Sequence, residues 1–240
     1  MLDFHPIKSA KSFDRMLAGL AENFNFVSLA QIEDQVGLSD TRTNLAITFD
    51  DGFTNQVHNA VPVLKKWGFP ATFFLPAGAL NLSADRARRF YGERVGIAYE
   101  QSLTSESVRR LASEPGMEVG LHGWDHADLG VCNSAYELAR EIVQAKEKVE
   151  EIAGKEVVRF AYPFGDVVNY TPGVIEFLGS AGLGSAYTIV PGFNTVVTPR
   201  YELHRDSLHP EMGGLLLRAW LSGAYDPFKA IVNSAKIKSR

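Results

Sequence analysis

Two carboxylates stand side by side in Thr48-Phe49-Asp50-Asp51-Gly52, and two imidazoles stand four apart in His122-Gly123-Trp124-Asp125-His126. Adjacent carboxylates repel each other, but a cation divides their work: one binds it and the other stays free as a base. Gly52 allows a tight turn beside them. Two histidines just after a strand can converge on one ion, and imidazole suits zinc and similar divalent metals. Taken alone, Asp-Asp-Gly reads more readily as a solvated turn capping the next helix. The histidines alone read equally well as unrelated surface residues. The combination points to a metal centre with open positions for water and substrate. A third cluster, Arg159-Phe160-Ala161-Tyr162-Pro163-Phe164-Gly165, reads alone as a buried strand ending in a Pro-Gly turn. In company with the others, its N–H groups can face an oxyanion while its rings form a wall.

The elements around these clusters alternate. Leu45 to Phe49, Ala71 to Leu75, Glu118 to His122, Val157 to Tyr162 and Ser185 to Ile189 are short apolar runs of strand type. Between them, Val57, Ala60, Val61, Leu64 and Trp67 follow helical spacing over about 54–67, with Pro62 inside and Gly68 as the stop. Ala135, Leu138, Ala139, Ile142, Val149 and Ile152 share the face of a second helix over about 134–153, and Gly154 closes it. The charges from Glu137 to Glu151 read as its solvated face, supported by i,i+4 pairs. A further helix starts near Pro172, and Leu215 to Leu221 predicts another, packed on the rest of the fold. Strand-then-helix order predicts an α/β fold with parallel strands. Reactive residues then gather at the carboxyl ends of the strands, where all three clusters fall.

Composition narrows the function. The chain has 240 residues, enough for a substantial core, and nothing divides it, so one catalytic domain over 1–240 is expected. Its formal net charge of −4, with no basic run, argues against nucleic acid or an anionic membrane as partner. The single cysteine, Cys132, excludes a disulfide framework and a multi-cysteine zinc site. No stretch of about 18 apolar residues predicts a transmembrane segment. The first twenty residues lack the pattern of a signal peptide, so a cytoplasmic location is the expectation.

The motifs TFDDG at 48–52, HGWDH at 122–126 and FAYPFG at 160–165, in that order, resemble the polysaccharide deacetylase family, also called the NodB-homology or carbohydrate esterase 4 family. VPVLKKWGFPATFFLPAG at 61–78 and AYTIVPGFN at 186–194 extend the resemblance, which runs from about residue 2 to 208. It implies a distorted (β/α) barrel with fewer than eight parallel strands, and a metal-dependent hydrolase that removes the N-acetyl group of an acetylamino sugar in a polysaccharide or glycan precursor. By matching motif, Asp50 is the catalytic base. Asp51, His122 and His126 hold one divalent ion, zinc, and Tyr162, Phe164 and Trp124 contact substrate. The general acid is not carried over uniquely. Leu2-Asp3-Phe4-His5-Pro6 resembles an early Tyr-His motif of the poly-N-acetylglucosamine deacetylases and favours His5. His204, in Leu203-His204, resembles a late Leu-x-His motif with the wrong spacing. Two departures stand out. Gly123 replaces a common Ser or Thr, and Ala161 replaces an Arg that pairs with the catalytic Asp. Arg159 lies two residues back on the same side of a strand, and whether it substitutes is left open. Two other readings keep the fold: hydrolysis of a non-sugar linear or cyclic amide on the same metal site, and non-catalytic carbohydrate binding.

Overall fold

The computed structural model describes residues 1–39, 41–97, 101–132 and 134–210. Seven parallel strands form one curled sheet in the order β8-β7-β6-β5-β4-β1-β9. They are β1 (Leu2–Phe4), β4 (Ile47–Phe49), β5 (Ala71–Leu75), β6 (Met117–Leu121), β7 (Arg159–Ala161), β8 (Ser185–Tyr187) and β9 (Asp206–Leu208). A separate parallel pair, β2 (Phe24–Phe26) and β3 (Thr43–Leu45), lies outside this sheet. The run expected at 45–49 is therefore broken at Ala46, where the chain passes from one sheet to the other. The curled sheet with fewer than eight strands is the distorted (β/α) barrel that the motifs imply.

Helices α1 (Ala10–Ala21), α3 (Val61–Trp67), α5 (Ser105–Ser113), α7 (Ala145–Ala153) and α8 (Pro172–Ser180) bring buried side chains to the sheet's outer face. The helices α2 (Leu29–Asp34), α4 (Ala84–Arg94) and α6 (Ala135–Leu138) complete the set among the described residues. None of these helices is long and apolar enough to cross a membrane. The helix expected at 215–221 lies outside the described residues.

Side-chain alternation along the strands builds two distinct environments. Leu2, Phe4, Ile47, Phe49, Phe73, Leu75, Leu121 and Phe160 join the main core beneath the helices. The intervening residues turn to the inner face, where Phe74, Ala161, Tyr187 and Leu203 pack together. That inner set also holds Asp3, Thr48, Thr72 and Arg159, all buried. The sheet's two edges approach each other through one segment. Leu203 pairs with Tyr187 of β8, and from Asp206 the same segment pairs with β1.

Two helices depart from regular spacing. Pro62 is accommodated at the start of α3, because a π turn over Gln56–Ala60 precedes it. A second π turn, Ala139–Gln144, joins α6 to α7. The expectation of a solvated charged face fails there. Glu141 is 4% exposed, since the widened turn rotates it inward, while Lys146 and Glu150 form the expected i,i+4 pair at 2.7 Å.

Candidate active site

Asp50 and Asp51 follow β4 directly, and His122 follows β6. Strand parity aims Asp50 and His122 inward, continuing the rows of Thr48 and Gly120. Asp51 takes a left-handed backbone at φ 72°, and His126 does the same at φ 54°. Such conformations cost energy in a non-glycine residue and gather at functional sites. Asp51, His122 and His126 each offer one ligand atom, all within 4.8 Å of one another. Asp51 Oδ1 lies 3.6 Å from His122 Nε2 and 3.5 Å from His126 Nε2. His122 Nδ1 is 2.8 Å from the Ala161 carbonyl, which fixes that nitrogen as the N–H and leaves Nε2 with a lone pair toward Asp51.

The cluster fits a divalent cation. Both Asp51 carboxylate oxygens are buried without a hydrogen-bond partner. Burial raises its pKa to about 7, with Asp50 and Asp3 adding to the effect against His5. Burial also depresses both imidazoles, His126 to about 3, so both rings are neutral and could serve as ligands. A buried unpaired carboxylate facing two neutral imidazoles is a costly arrangement that a cation completes.

Asp50 has a different partner. Arg205 donates from Nη1 to Oδ1 at 2.8 Å and from Nη2 to Oδ2 at 2.7 Å, a two-pronged pair with both groups buried. Burial alone pushes the Asp50 carboxyl up, but the charge and hydrogen bonds of Arg205, with His122 and His5, together outweigh it and hold the group well below the usual carboxylate range. Arg205 also donates to the Thr188 carbonyl and the Thr48 hydroxyl, and its Nη1 lies 3.4 Å from Asp3 Oδ1. The guanidinium missing from position 161 is thus delivered from the segment that bridges the sheet's edges. Arg159 does not substitute. It is held at the opposite, amino end of the sheet by Glu33 and Glu118.

His5 stands over the cluster, one-third exposed, with Nε2 3.8 Å from Asp51 Oδ2 and Nδ1 3.7 Å from Asp3 Oδ2. Burial pushes its pKa down, but Asp3, Asp51 and Asp50 together override this and raise it. His204 is elsewhere. Its backbone exchanges hydrogen bonds with the Asn194 side chain, and its ring packs on Gly192. No contact among the described residues joins it to the carboxylates.

The three expected substrate contacts separate. Phe164 sets its ring edge-on to His126 at 4.7 Å, 42% exposed and with φ 63°, at the mouth of the site. Tyr162 instead lies in the outer core. Its ring stacks on Tyr170 at 4.3 Å and its hydroxyl donates to the Tyr201 carbonyl, because position 162 has the outward parity of Phe160. Trp124 sets its ring beside Lys148 and Arg140, 4.8 and 5.7 Å from its centroid, and against Gly78.

Three further residues shape the site. Asp3 touches both Arg205 and His5. Gln56 donates to the Asp50 carbonyl at 2.6 Å and the His5 carbonyl at 3.2 Å. Arg205 clamps Asp50. The alternation Leu2-Asp3-Phe4-His5 carries the parity signal for Asp3, with polar residues on the face opposite apolar ones. Nothing local to Arg205 or Gln56 distinguishes them, since Arg205 meets Asp50 across 155 residues and Gln56 meets His5 across 51.

A family model described as polysaccharide deacetylase matches residues 38–183, more than half of the chain. Among curated proteins, "Putative polysaccharide deacetylase YxkH" of Bacillus subtilis (strain 168) is 26% identical over 175 residues, which make up 73% of this chain and 55% of that protein. The chain thus spans little more than half the length of this relative. Among solved structures, the Streptococcus pyogenes deacetylase PplD in complex with acetate superposes with a TM-score of 0.71 at 20% identity, covering 90% of this chain and 95% of that one. IcaB from Ammonifex degensii superposes at 0.67 with 21% identity, covering 91% and 95%. At these identities the structural likeness establishes the fold.

Proposed function

The chain belongs to the polysaccharide deacetylase family, and from that premise we propose that it hydrolyses the N-acetyl group of an acetylamino sugar, in a polysaccharide or a glycan precursor, with one divalent ion, zinc, held by Asp51, His122 and His126. One observation carries the reading. A buried carboxylate without a hydrogen-bond partner faces two neutral imidazoles, directly beside a second carboxylate that Arg205 keeps ionised. When bound, the ion polarises the acyl carbonyl and makes bound water more acidic.

The chain's own residues do the rest. Asp50 accepts the proton of the attacking water. Arg205 occupies one lone pair on each of its oxygens and leaves others open on the side of His122, whose Nε2 lies 3.9 Å from Asp50 Oδ2. His5, with its raised pKa, holds the proton that the departing amine requires, and Asp3 orients its ring. Phe164 walls the mouth beside His126 and offers a flat apolar face to a sugar or an acyl methyl.

Asp50→Asn tests the assignment. Zinc-loaded wild type should release acetate from N-acetylated oligosaccharides. The variant should lose roughly 10²–10⁴-fold in kcat while binding zinc as before. Zinc-loaded wild type that opens a cyclic amide yet frees no acetate from any N-acetylated glycan would sink the substrate class. Undiminished turnover by the variant would sink the base.

A further inference from the structure

The loop that carries both histidines is gripped from behind by one buried acid. Glu141 Oε2 accepts the Trp124 N–H at 2.9 Å, and both its oxygens lie 3.1 Å from the Asp125 nitrogen. The Ala127 N–H bears on the same carboxylate. The loop between His122 and His126 thus wraps its N–H groups around an anion that reaches in from the π turn at 139–144. Gly123 makes room for it. A Cβ at position 123 would fall 2.8 Å from Glu141 Oε2, and the glycine holds φ at 77°. Arg140, beside Glu141 in sequence, adds an outer tie to Asp125 at 2.7 Å.

We propose that Glu141 is a positioning residue for the metal centre. By collecting the N–H groups of the intervening loop, it sets the distance and angle between the two imidazoles, although it touches neither ring. A loop of five residues with two left-handed positions, Gly123 and His126, has no regular hydrogen-bond ladder of its own. Without an internal acceptor its N–H groups turn to solvent and the second histidine loses its fixed bearing on the first. The π turn has a function in this arrangement. It widens the helix where Glu141 needs to face inward, against the solvated pattern of its neighbours. This inference rests on the proposed metal site and deepens it.

The test compares wild type, Glu141→Gln and Gly123→Ala for zinc affinity, measured by competition with a chromogenic chelator. The visible spectrum of the cobalt-substituted protein and the melting temperature without metal complete the comparison. Gln presents an amide nitrogen where the loop offers only donors, so at least one N–H is left without an acceptor. The alanine instead pushes the loop off an intact carboxylate. Both variants should bind zinc 10–100-fold more weakly and show altered cobalt bands, in keeping with the cost of losing groups that orient ligands from behind. A role confined to stability would lower the melting temperature and leave affinity and spectrum unchanged. A loss of less than fivefold in the variants that fold overturns the proposal. Should Glu141→Gln not fold, Gly123→Ala decides by the same threshold. Wild type that fails to bind zinc defeats the metal site itself, a result separate from any difference between variants.

Discussion

Arg205 is fully buried and its hydrogen bonds are all charge-assisted or directed at fixed oxygens, so its contribution divides into stability and orientation. Removing the guanidinium strands Asp50 and Asp3 as neighbouring buried anions. Arg205→Met should therefore destabilise the fold by about 3–5 kcal/mol, the usual cost of leaving one partner of a buried pair. Chemical denaturation reads this directly, and a change under 1 kcal/mol would show that Asp50 finds another partner. Arg205→Lys keeps the charge but not the two-pronged geometry. Its kcat should fall roughly tenfold or more while zinc affinity holds, because Arg205 hydrogen-bonds Asp50 and its charge, which also reaches Asp51 and His122, is kept by the lysine. His5 and His204 separate under the same logic. His5→Gln should lower kcat by about 10²-fold. His204→Gln should leave it near wild type, and the opposite ranking in a steady-state assay would reverse the assignment of the acid.

At the scale of elements, the site depends on how strand ends and the following turns are tied together. The two π turns have parallel roles. Gln56, at the start of one, staples the Asp50 turn to the backbone of His5, and Glu141, within the other, holds the histidine loop. Each lies on the helix that follows a strand carrying site residues, so each reaches back to its own strand end. The loops after β6 and β7 meet at Gly130, where an added Cβ would stand 2.0 Å from the Val168 carbonyl oxygen. Asn169 donates to Asp128 across the same contact at 2.8 Å. Gly130→Ala should part these loops and destabilise by about 1–3 kcal/mol, as other forced overpacking does. An unchanged urea midpoint would mean that the backbone relaxes without loss. The helix at 134–153 was legible from its apolar stripe and its Gly154 stop. Its π turn was not, because one extra residue per turn leaves a pattern that still reads as helical over a window of this length.

The whole molecule places opposite demands on the two ends of its sheet. The carboxyl end gathers ionisable groups, Asp51, His122 and His126, that could hold a cation. The amino end is closed internally by Glu33, which accepts from Arg159 at 2.6 and 3.0 Å, from Ser185 at 2.6 Å and from the Tyr187 hydroxyl. Burial raises the Glu33 pKa, but these donors together outweigh it and hold it below the ordinary carboxylate value. A carboxylate with a depressed folded pKa contributes stability above its unfolded value and loses it as pH falls through the folded one. Glu33→Gln should therefore cost about 3 kcal/mol at pH 7. Its deficit against wild type should shrink below about pH 4, as wild type surrenders the same interaction. Parallel denaturation curves at both pH values check this, and a constant deficit would contradict it. The division between what was readable and what was not follows from contact distance along the chain. The amino-acid sequence by itself determined the parallel α/β class, the strand ends and the Asp-Asp and His-x-x-x-His clusters, because period-two alternation, turn residues and metal-ligand types are local patterns. Only the tertiary structure decided which guanidinium holds Asp50, that His5 rather than His204 reaches the carboxylates, that Tyr162 belongs to the core, and that Glu141 faces inward. The first depends on closing a curled sheet so that residues 155 positions apart meet, and no spacing rule within one segment encodes that closure; the inward turn of Glu141 depends on a π turn that its helical pattern hides.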